Sequence, residues 1–211
     1  GAGAVLLIEL DGPRAEIEAQ TPRVEEICRA HHALEIRVAR DEAERALLWK
    51  GRKAAAGAFG RLGSNWLLQD TVVPRSKLPE IIRELVAISR RYGLLIANVF
   101  HAGDGNLHPV IFYDDREPGQ LERAKEANEE LLRACIALGG SVTGEHGVGL
   151  DKAQNLTLQY APADLNFMAR LRRVFDPRSL MNPGKLLPSH PACGEAFRPS
   201  EGMRLPTGTW V

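Results

Sequence analysis

Apolar positions along the chain follow two spacings, one typical of strands and one typical of helices. Alternating or continuous short apolar runs predict strands at residues 4–9, 34–38, 66–73, 94–100 and 110–113. Apolar residues at helical spacing predict helices at residues 14–32, 41–61, 76–93, 121–138 and 163–174. Pro22 falls inside the first helix, where we expect a kink or a break, and Ser76 is expected at the N-cap of the third.

The order of these elements favours an α+β fold. Helices and strands are mixed along the chain, and two consecutive strands meet at a short turn. This order predicts an antiparallel sheet with helices on one face, close to the split βαβ pattern, followed by C-terminal helices.

Composition excludes some classes of protein. The 27 basic residues equal the 27 acidic ones, which argues against a protein that binds nucleic acid through a broad basic surface. The apolar run at residues 4–8 is far shorter than the roughly 20 residues of a membrane span. The three cysteines are dispersed, so they predict neither a disulfide framework nor a CxxC metal site, and a reducing cytoplasmic location fits.

The segment from His101 to His108 carries the strongest chemical signal. Asp104-Gly105 lies between two apolar runs, which is a strong hairpin signal. A two-residue turn there places His101 opposite His108, with Cβ atoms about 4.5–5.5 Å apart on one face of the sheet. Two imidazoles in that arrangement could share one metal ion. The alternative is a pair of histidines that line a polar edge.

A glycine-rich segment at residues 144–149 is the second candidate. Glycines flank the adjacent Glu145 and His146, so the backbone can approach other groups closely. Glu145 could complete a site of two histidines and one carboxylate, a set that suits Zn²⁺ or another divalent first-row metal. His146 would then be free to act as a general base. A glycine-rich loop with a solvated Glu-His pair is the alternative.

Arg52 is the third candidate. Its planar guanidinium suits bidentate capture of a substrate carboxylate, whereas spacing alone favours the alternative, a solvated charge on a helix.

Together these segments resemble the C-terminal domain of FAD-linked oxidases, which are flavin-dependent D-2-hydroxyacid dehydrogenases of the vanillyl-alcohol oxidase superfamily. The resemblance covers about residues 4–190 and is closest to the glycolate oxidase branch. The motifs that carry it occur in the family's order: Trp49-Lys50-Gly51-Arg52-Lys53, Gln69-Asp70-Thr71-Val72-Val73-Pro74-Arg75, Asn98 to Pro109, Gly144-Glu145-His146-Gly147-Val148-Gly149, and Phe175-Asp176-Pro177 with Asn182-Pro183-Gly184-Lys185.

The resemblance implies a fold and roles for particular residues. It implies a ferredoxin-like cap and substrate domain over residues 1–190, followed by an irregular tail over residues 191–211. His101, His108 and Glu145 match the family's metal ligands, for a divalent metal such as zinc. His146 matches the proposed catalytic base and Arg52 matches the arginine that binds the substrate carboxylate. Asn182 matches an asparagine near the flavin.

The implied function is oxidation of glycolate or D-lactate to the 2-oxo acid, with hydride transfer to FAD. The family's FAD-binding domain precedes this domain and is absent from this chain, so we expect the chain alone to be inactive. The implied partners are the small 2-hydroxy acid and other subunits of a glycolate oxidase complex, including an iron-sulfur subunit. They do not include nucleic acid. The implied location is cytoplasmic, with peripheral association at the inner face of the membrane through those subunits.

Two alternatives come from other classes of protein. One is a stand-alone metal-dependent hydrolase that uses the same His/His/Glu site with a bound water. The other is a non-catalytic dimerisation module, which predicts no metal at the two histidines.

Overall fold

The structure is a computed structural model, and it describes residues 3–188. The tail expected at residues 191–211, and with it Cys193, lies outside the described residues. The chain divides into two compact units, Gly1–Arg61 and Leu62–Val211. The single domain boundary expected at residue 190 stays a prediction.

The first unit is helical. It contains α1 (Arg14–Ala30), α2 (Glu42–Ala54) and a 3₁₀ helix (Ala56–Arg61), and neither α-helix has a buried residue. α1 continues through Pro22 without the break that we expected. The helix predicted over 41–61 ends at residue 54, and the glycine-rich stretch that follows takes the tighter 3₁₀ form.

The two strands predicted in the first unit are wrong. Residues 4–9 and 34–38 are irregular, and their apolar side chains are largely exposed, as the 91% exposure of Val5 and the 84% exposure of Leu34 show. A strand is stabilised by backbone hydrogen bonds to a neighbouring strand and by burial of one face. Alternation in the sequence describes only the side chains, so it does not guarantee a partner strand.

The second unit contains an antiparallel sheet centred on one strand. The strands are β1 (Asn65–Leu68), β2 (Thr71–Val72), β3 (Ile96–His101) and β4 (Asn106–Tyr113). β4 pairs with β3 along one edge and with β1 and β2 along the other. The single strand predicted over 66–73 is therefore interrupted at Gln69 and Asp70. A bridge between Val72 and Ser141 continues the sheet beyond β2.

Two helices cover one face of this sheet. They are α3 (Leu78–Tyr92), which follows a 3₁₀ turn (Arg75–Lys77), and α4 (Gln120–Ala137). Their apolar side chains, among them Ile81, Ile88 and Leu131, pack with Leu107 and Ile111 of β4 in one core cluster. The chain order of strand, helix, two strands, helix and bridging segment is that of a ferredoxin-like fold, so the predicted α+β class is confirmed.

Boundaries in this unit differ slightly from the expectations. Ser76 lies inside the 3₁₀ turn and not at the N-cap of α3, because Pro79 sets the start of the α-helix at Leu78. Gly93 ends α3 in the left-handed conformation, at φ 63°, as the sequence predicted.

A second apolar cluster supports the C-terminal part of the chain. α5 (Leu156–Gln159) and α6 (Pro162–Phe175) contribute Leu156 and Leu165, which pack with Leu132 of α4 and with Val142 and Val148. The cluster therefore holds both ends of the loop that carries Glu145 and His146. None of the helices between residues 3 and 188 has the length and apolar character needed to cross a membrane.

Candidate functional site

The β3–β4 hairpin brings the two histidines to one face of the sheet, but in a different register from the one expected. Residues 102–105 form a four-residue turn, so His101 pairs with Asn106 and His108 pairs with Val99. The two-residue turn that placed His101 opposite His108 is therefore wrong. The register differs by two residues, and because side chains alternate with a period of two, both histidines still point to the same face.

The two imidazoles differ in their surroundings. The side chain of His108 is 10% exposed, whereas that of His101 is 46% exposed. Their ring centroids are 5.5 Å apart and the ring planes are nearly perpendicular, at 88°. Burial lowers the pKa of His108, partly offset by the charge of Glu145. The lowered pKa favours the neutral imidazole, which is the form that binds metal ions.

The loop after Ser141 brings Glu145 to the histidines. Glu145 Oε1 lies 2.9 Å from His108 Nε2, 3.8 Å from His101 Nε2 and 3.5 Å from His146 Nε2. The His146 ring stacks on the His108 ring, with centroids 4.9 Å apart and an interplanar angle of 18°. One carboxylate oxygen therefore lies among three imidazole nitrogens.

The donor set fits a divalent first-row metal. One ligand atom from each of His101, His108 and Glu145 lies within 4.8 Å of the other two. Two imidazole nitrogens and a carboxylate oxygen form the type of ligand set that binds zinc at catalytic sites. The remaining nitrogen of His108, Nδ1, is buried and has no hydrogen-bond partner among the described residues.

A second cluster of possible ligands contains Asp70, His108 and His146. The Asp70 carboxylate already accepts hydrogen bonds from the hydroxyl of Thr143, from three successive backbone amides and from Lys152. A carboxylate offers about four lone-pair positions, so little acceptor capacity is left for a metal ion. Of the two clusters, the first therefore has more donor capacity left for a metal ion.

The ionisation of Asp70 follows from these contacts. Burial by itself raises the pKa of Asp70, but the hydrogen bonds from the amides of His146 and Glu145 and from the Thr143 hydroxyl, together with the charge of Lys152, outweigh burial and hold the pKa well below its ordinary value. Asp70 is therefore ionised at neutral pH.

No role was predicted for Asp70 or Lys152, although Asp70 lies inside one of the motifs named above. A signal was present, because Asp70 follows Trp66-Leu67-Leu68 and precedes Thr71-Val72-Val73, inside a stretch that otherwise reads as one strand. A carboxylate buried in a strand must be paired or hydrogen-bonded. The sequence did not reveal its partners, which lie 73 to 82 residues away.

Asn182 lies in a different part of the second unit. It has a left-handed backbone, at φ 48°, which asparagine tolerates better than most residues. It lines an open cavity of about 430 Å³ together with Phe175, Met181, Lys185 and Leu186, among others. The Asn182 side-chain oxygen accepts a hydrogen bond from Lys185 Nζ at 3.2 Å.

Arg52 lies on α2 in the first unit and is half-buried. Within residues 3–188, no carboxylate lies at ion-pair distance from its guanidinium. The structure thus brings together His101, His108, Glu145 and His146, and it leaves the roles of Arg52 and Asn182 as predictions.

Comparisons with known proteins agree with the motif pattern. Residues 1–186 match the family model described as FAD linked oxidases, C-terminal domain. The chain is 40% identical over 194 residues to the glycolate oxidase subunit GlcD of Escherichia coli, covering 92% of this chain and 39% of that protein. It is 39% identical over 185 residues to the GlcD subunit of Bacillus subtilis, covering 88% of this chain and 39% of the relative.

A mitochondrial D-lactate dehydrogenase [cytochrome] of Arabidopsis thaliana is also similar, with 35% identity over 191 residues, 88% of this chain and 33% of that protein. The chain therefore spans about two fifths of the length of its glycolate oxidase relatives and a third of the length of this dehydrogenase.

Proposed function

Because the chain belongs to the family of FAD-linked oxidase C-terminal domains, we propose that it is the substrate-binding part of a flavin-dependent 2-hydroxy-acid dehydrogenase. The substrate would be glycolate or D-lactate, and the product the 2-oxo acid. The observation that carries the proposal is the cluster of three imidazoles around Glu145 Oε1. The relatives named above are an oxidase subunit from two organisms and a dehydrogenase, which supports oxidation over the metallohydrolase alternative.

His101, His108 and Glu145 would hold a divalent metal such as zinc, because their donor atoms have the required chemistry and lie close together. Such an ion would lower the pKa of a substrate hydroxyl, and FAD would supply the hydride-accepting chemistry. The dimerisation module predicts that no metal binds at the two histidines, so metal binding there would exclude it.

His146 is proposed as the general base. Its side chain is 52% exposed, so a substrate can reach it, while stacking on His108 fixes the orientation of its ring. Its Nε2 lies 3.5 Å from Glu145 Oε1, and with that carboxylate engaged by a metal the imidazole could take the hydroxyl proton. On the strength of the family match, Arg52 is proposed to bind the substrate carboxylate through its planar fork.

FAD would be held mainly by a domain outside this chain, with Asn182 near the flavin. The chain covers 39% of the glycolate oxidase relatives, and no glycine-rich phosphate loop follows a strand in its sequence. We therefore expect the purified chain alone to lack flavin absorbance and to leave 2-hydroxy acids unoxidised. A yellow protein with stoichiometric FAD would contradict this expectation.

We also propose that the full protein works in a complex, because the bacterial relatives are named as subunits. An iron-sulfur subunit is among the proposed partners, and the proposed location is cytoplasmic, at the inner face of the membrane through partner subunits. Co-purification of the full-length protein with an iron-sulfur protein tests this part of the proposal.

The metal site can be tested on the chain itself. Elemental analysis after incubation with Zn²⁺ should give one ion per chain, and the double variant His101→Ala with His108→Ala should bind none. The exposed pair His31 and His32 offers a matched control, because alanine at both also removes two imidazoles. Equal zinc content in the two double variants would exclude the proposed site.

The catalytic roles need the full-length product of the gene that encodes this chain. Steady-state kinetics with glycolate and D-lactate should show a strong rise in KM for Arg52→Ala, because the substrate charge loses its partner. For His146→Ala, kcat should fall by about 10²–10⁴-fold with a smaller change in KM. Near-normal kcat in His146→Ala would mean that another group is the base.

A further inference from the structure

A single buried carboxylate organises the loop that carries Glu145 and His146. Asp70 lies between β1 and β2 and is 1% exposed. Its Oδ2 accepts hydrogen bonds from the Thr143 hydroxyl at 2.9 Å and from the amides of Gly144 and His146 at 3.0 and 2.9 Å. The Glu145 amide donates to both carboxylate oxygens at 3.1 Å. Three successive amides thus point at one side chain.

Lys152 completes this arrangement from the other end of the loop. It is 6% exposed, and its Nζ donates to the backbone carbonyl of Asp70 at 2.6 Å and to Oδ2 at 3.3 Å. A buried charge without a partner is costly, so the ammonium group allows the carboxylate to remain ionised inside the protein. Lys152 also joins the segment after the loop to the same point of the sheet.

The fit between Asp70 and the loop requires a glycine at position 144. A Cβ atom added there would lie 2.8 Å from Asp70 Oδ1 and closer still to Asn106 Oδ1. The backbone of the loop therefore lies directly against the carboxylate, with no room for a side chain between them. In this conformation Glu145 Oε1 lies 2.9 Å from His108 Nε2.

We propose that Asp70, neutralised by Lys152, is the positioning residue of the site, holding the 143–146 backbone so that Glu145 and His146 meet His108. The proposal rests on the proposed function for the chemistry of the site. Asp70 and Lys152 act through the loop, as the outer groups that orient ligands do at other metal sites. Metal affinity and the hydrogen bonds of the loop therefore depend on Asp70 beyond its effect on stability.

The variant Asp70→Asn tests this, because it keeps the shape and removes the charge and one acceptor oxygen. Asp176→Asn is the matched control, since Asp176 is 6% exposed and also accepts two backbone amides, from Leu180 and Met181. Three quantities are measured for each: amide hydrogen exchange, the dissociation constant for Zn²⁺, and the unfolding temperature.

We expect the amides of Gly144, Glu145 and His146 to be protected in the wild type and to exchange faster in Asp70→Asn. The zinc dissociation constant should rise by about 10–100-fold, as for other residues that orient ligands. Asp176→Asn should leave the exchange of these amides and the zinc dissociation constant unchanged. This should hold even if its unfolding temperature falls as far as that of Asp70→Asn. Unchanged zinc affinity in a folded Asp70→Asn variant, or equal losses in both variants, would overturn the proposal.

The exchange data separate this proposal from the metal assignment. If the wild type binds no Zn²⁺, the proposed metal site fails, whereas protection of the three amides and its loss in Asp70→Asn would still support positioning by Asp70. If Asp70→Asn does not fold, the hydrogen exchange of the wild type tests the proposal. Rapid exchange of all three amides in the wild type would contradict their bonds to Asp70. Thr143→Val then serves as the milder variant, with a smaller rise in exchange at the same amides.

Discussion

Two loops of the second unit are each held by a buried aspartate that accepts backbone amides, but they are anchored differently. Asp70 reaches residues 143–146 from 73 to 76 positions earlier in the chain, and it is joined there by the buried Lys152. Asp176 holds Leu180 and Met181, only four and five residues ahead, at 2.8 Å each. The first loop is fixed to the sheet, whereas the second is fixed to the end of its own helix.

The second loop is further shaped by an arginine. The Arg172 guanidinium donates to the carbonyls of Lys185 at 3.0 Å and Asn182 at 2.9 Å, and also to that of Met181. These bonds are local and give residues 179–185 a defined shape, and the Leu186 amide that follows donates to the Gly149 carbonyl at 2.8 Å. We therefore expect the 143–146 loop to open only when the sheet unfolds, and the Asn182 loop to open locally at a lower free energy.

The largest effect is expected at Gly144. Gly144→Ala forces a methyl group against the side chains of Asp70 and Asn106, so the free energy of unfolding should fall by about 1–3 kcal/mol, as in overpacked cores. Zinc affinity should fall as well. Gly103→Ala is the control, because nothing lies within 4 Å of its added Cβ and its φ is not in the left-handed region. Chemical denaturation measures the free energy of unfolding of both variants. Equal values for Gly144→Ala and Gly103→Ala would mean that the 143–146 loop is not packed against Asp70 and Asn106.

A smaller effect is expected at Asp176, and it should depend on pH. Burial acts to raise the pKa of Asp176, but the amides of Met181 and Leu180 outweigh it, so the pKa lies below the ordinary 3.8. A lowered pKa stabilises the folded state above 3.8, and this contribution is lost as the pH falls through the folded-state pKa. The stability difference between wild type and Asp176→Asn should therefore be largest at neutral pH and should shrink as the pH falls below 3.8 and through the folded-state pKa. A constant difference would contradict the role given to the ionised carboxylate.

The smallest effect concerns Cys135, which reports on the core between the sheet and helices α3 and α4. Burial raises the pKa of the Cys135 thiol to about 11, partly offset by a hydrogen bond with Thr71. We expect the thiol to resist alkylation at neutral pH in the wild type, and Asp176→Asn to leave its labelling rate unchanged. Peptide mass spectrometry measures the rate, with the half-buried Cys28 as the internal reference. Faster labelling in Asp176→Asn would mean that the second loop is coupled to the core.

The sequence predicted the second unit better than the first. Helical spacing placed α3, α4 and α6 to within a few residues, because their apolar stripes pack against the sheet or the second cluster. The same kind of pattern predicted strands at residues 4–9 and 34–38, which are irregular. Alternation shows which side chains can share a face, but the strand also needs a partner for its backbone.

The candidate site was also predicted only in part, because the sequence indicates which side chains share a face but not which distant segments they contact. The hairpin signal placed His101 and His108 on one face even though the register was wrong, since an error of two residues preserves the face. The glycine next to Glu145 indicated a close approach of the backbone, and Gly144 lies against Asp70. The sequence could not predict that the 143–146 loop is bonded to Asp70, because these hydrogen bonds join segments more than 70 residues apart.

The most direct test of the account is the position of a bound metal ion. Crystals of the chain grown with Zn²⁺ should show, at the zinc absorption edge, one anomalous peak about 2.0–2.2 Å from the His101 and His108 nitrogens and from a Glu145 oxygen. A peak that instead involves the Asp70 carboxylate, or the absence of any peak at this cluster in crystals that bind zinc elsewhere, would contradict the assignment.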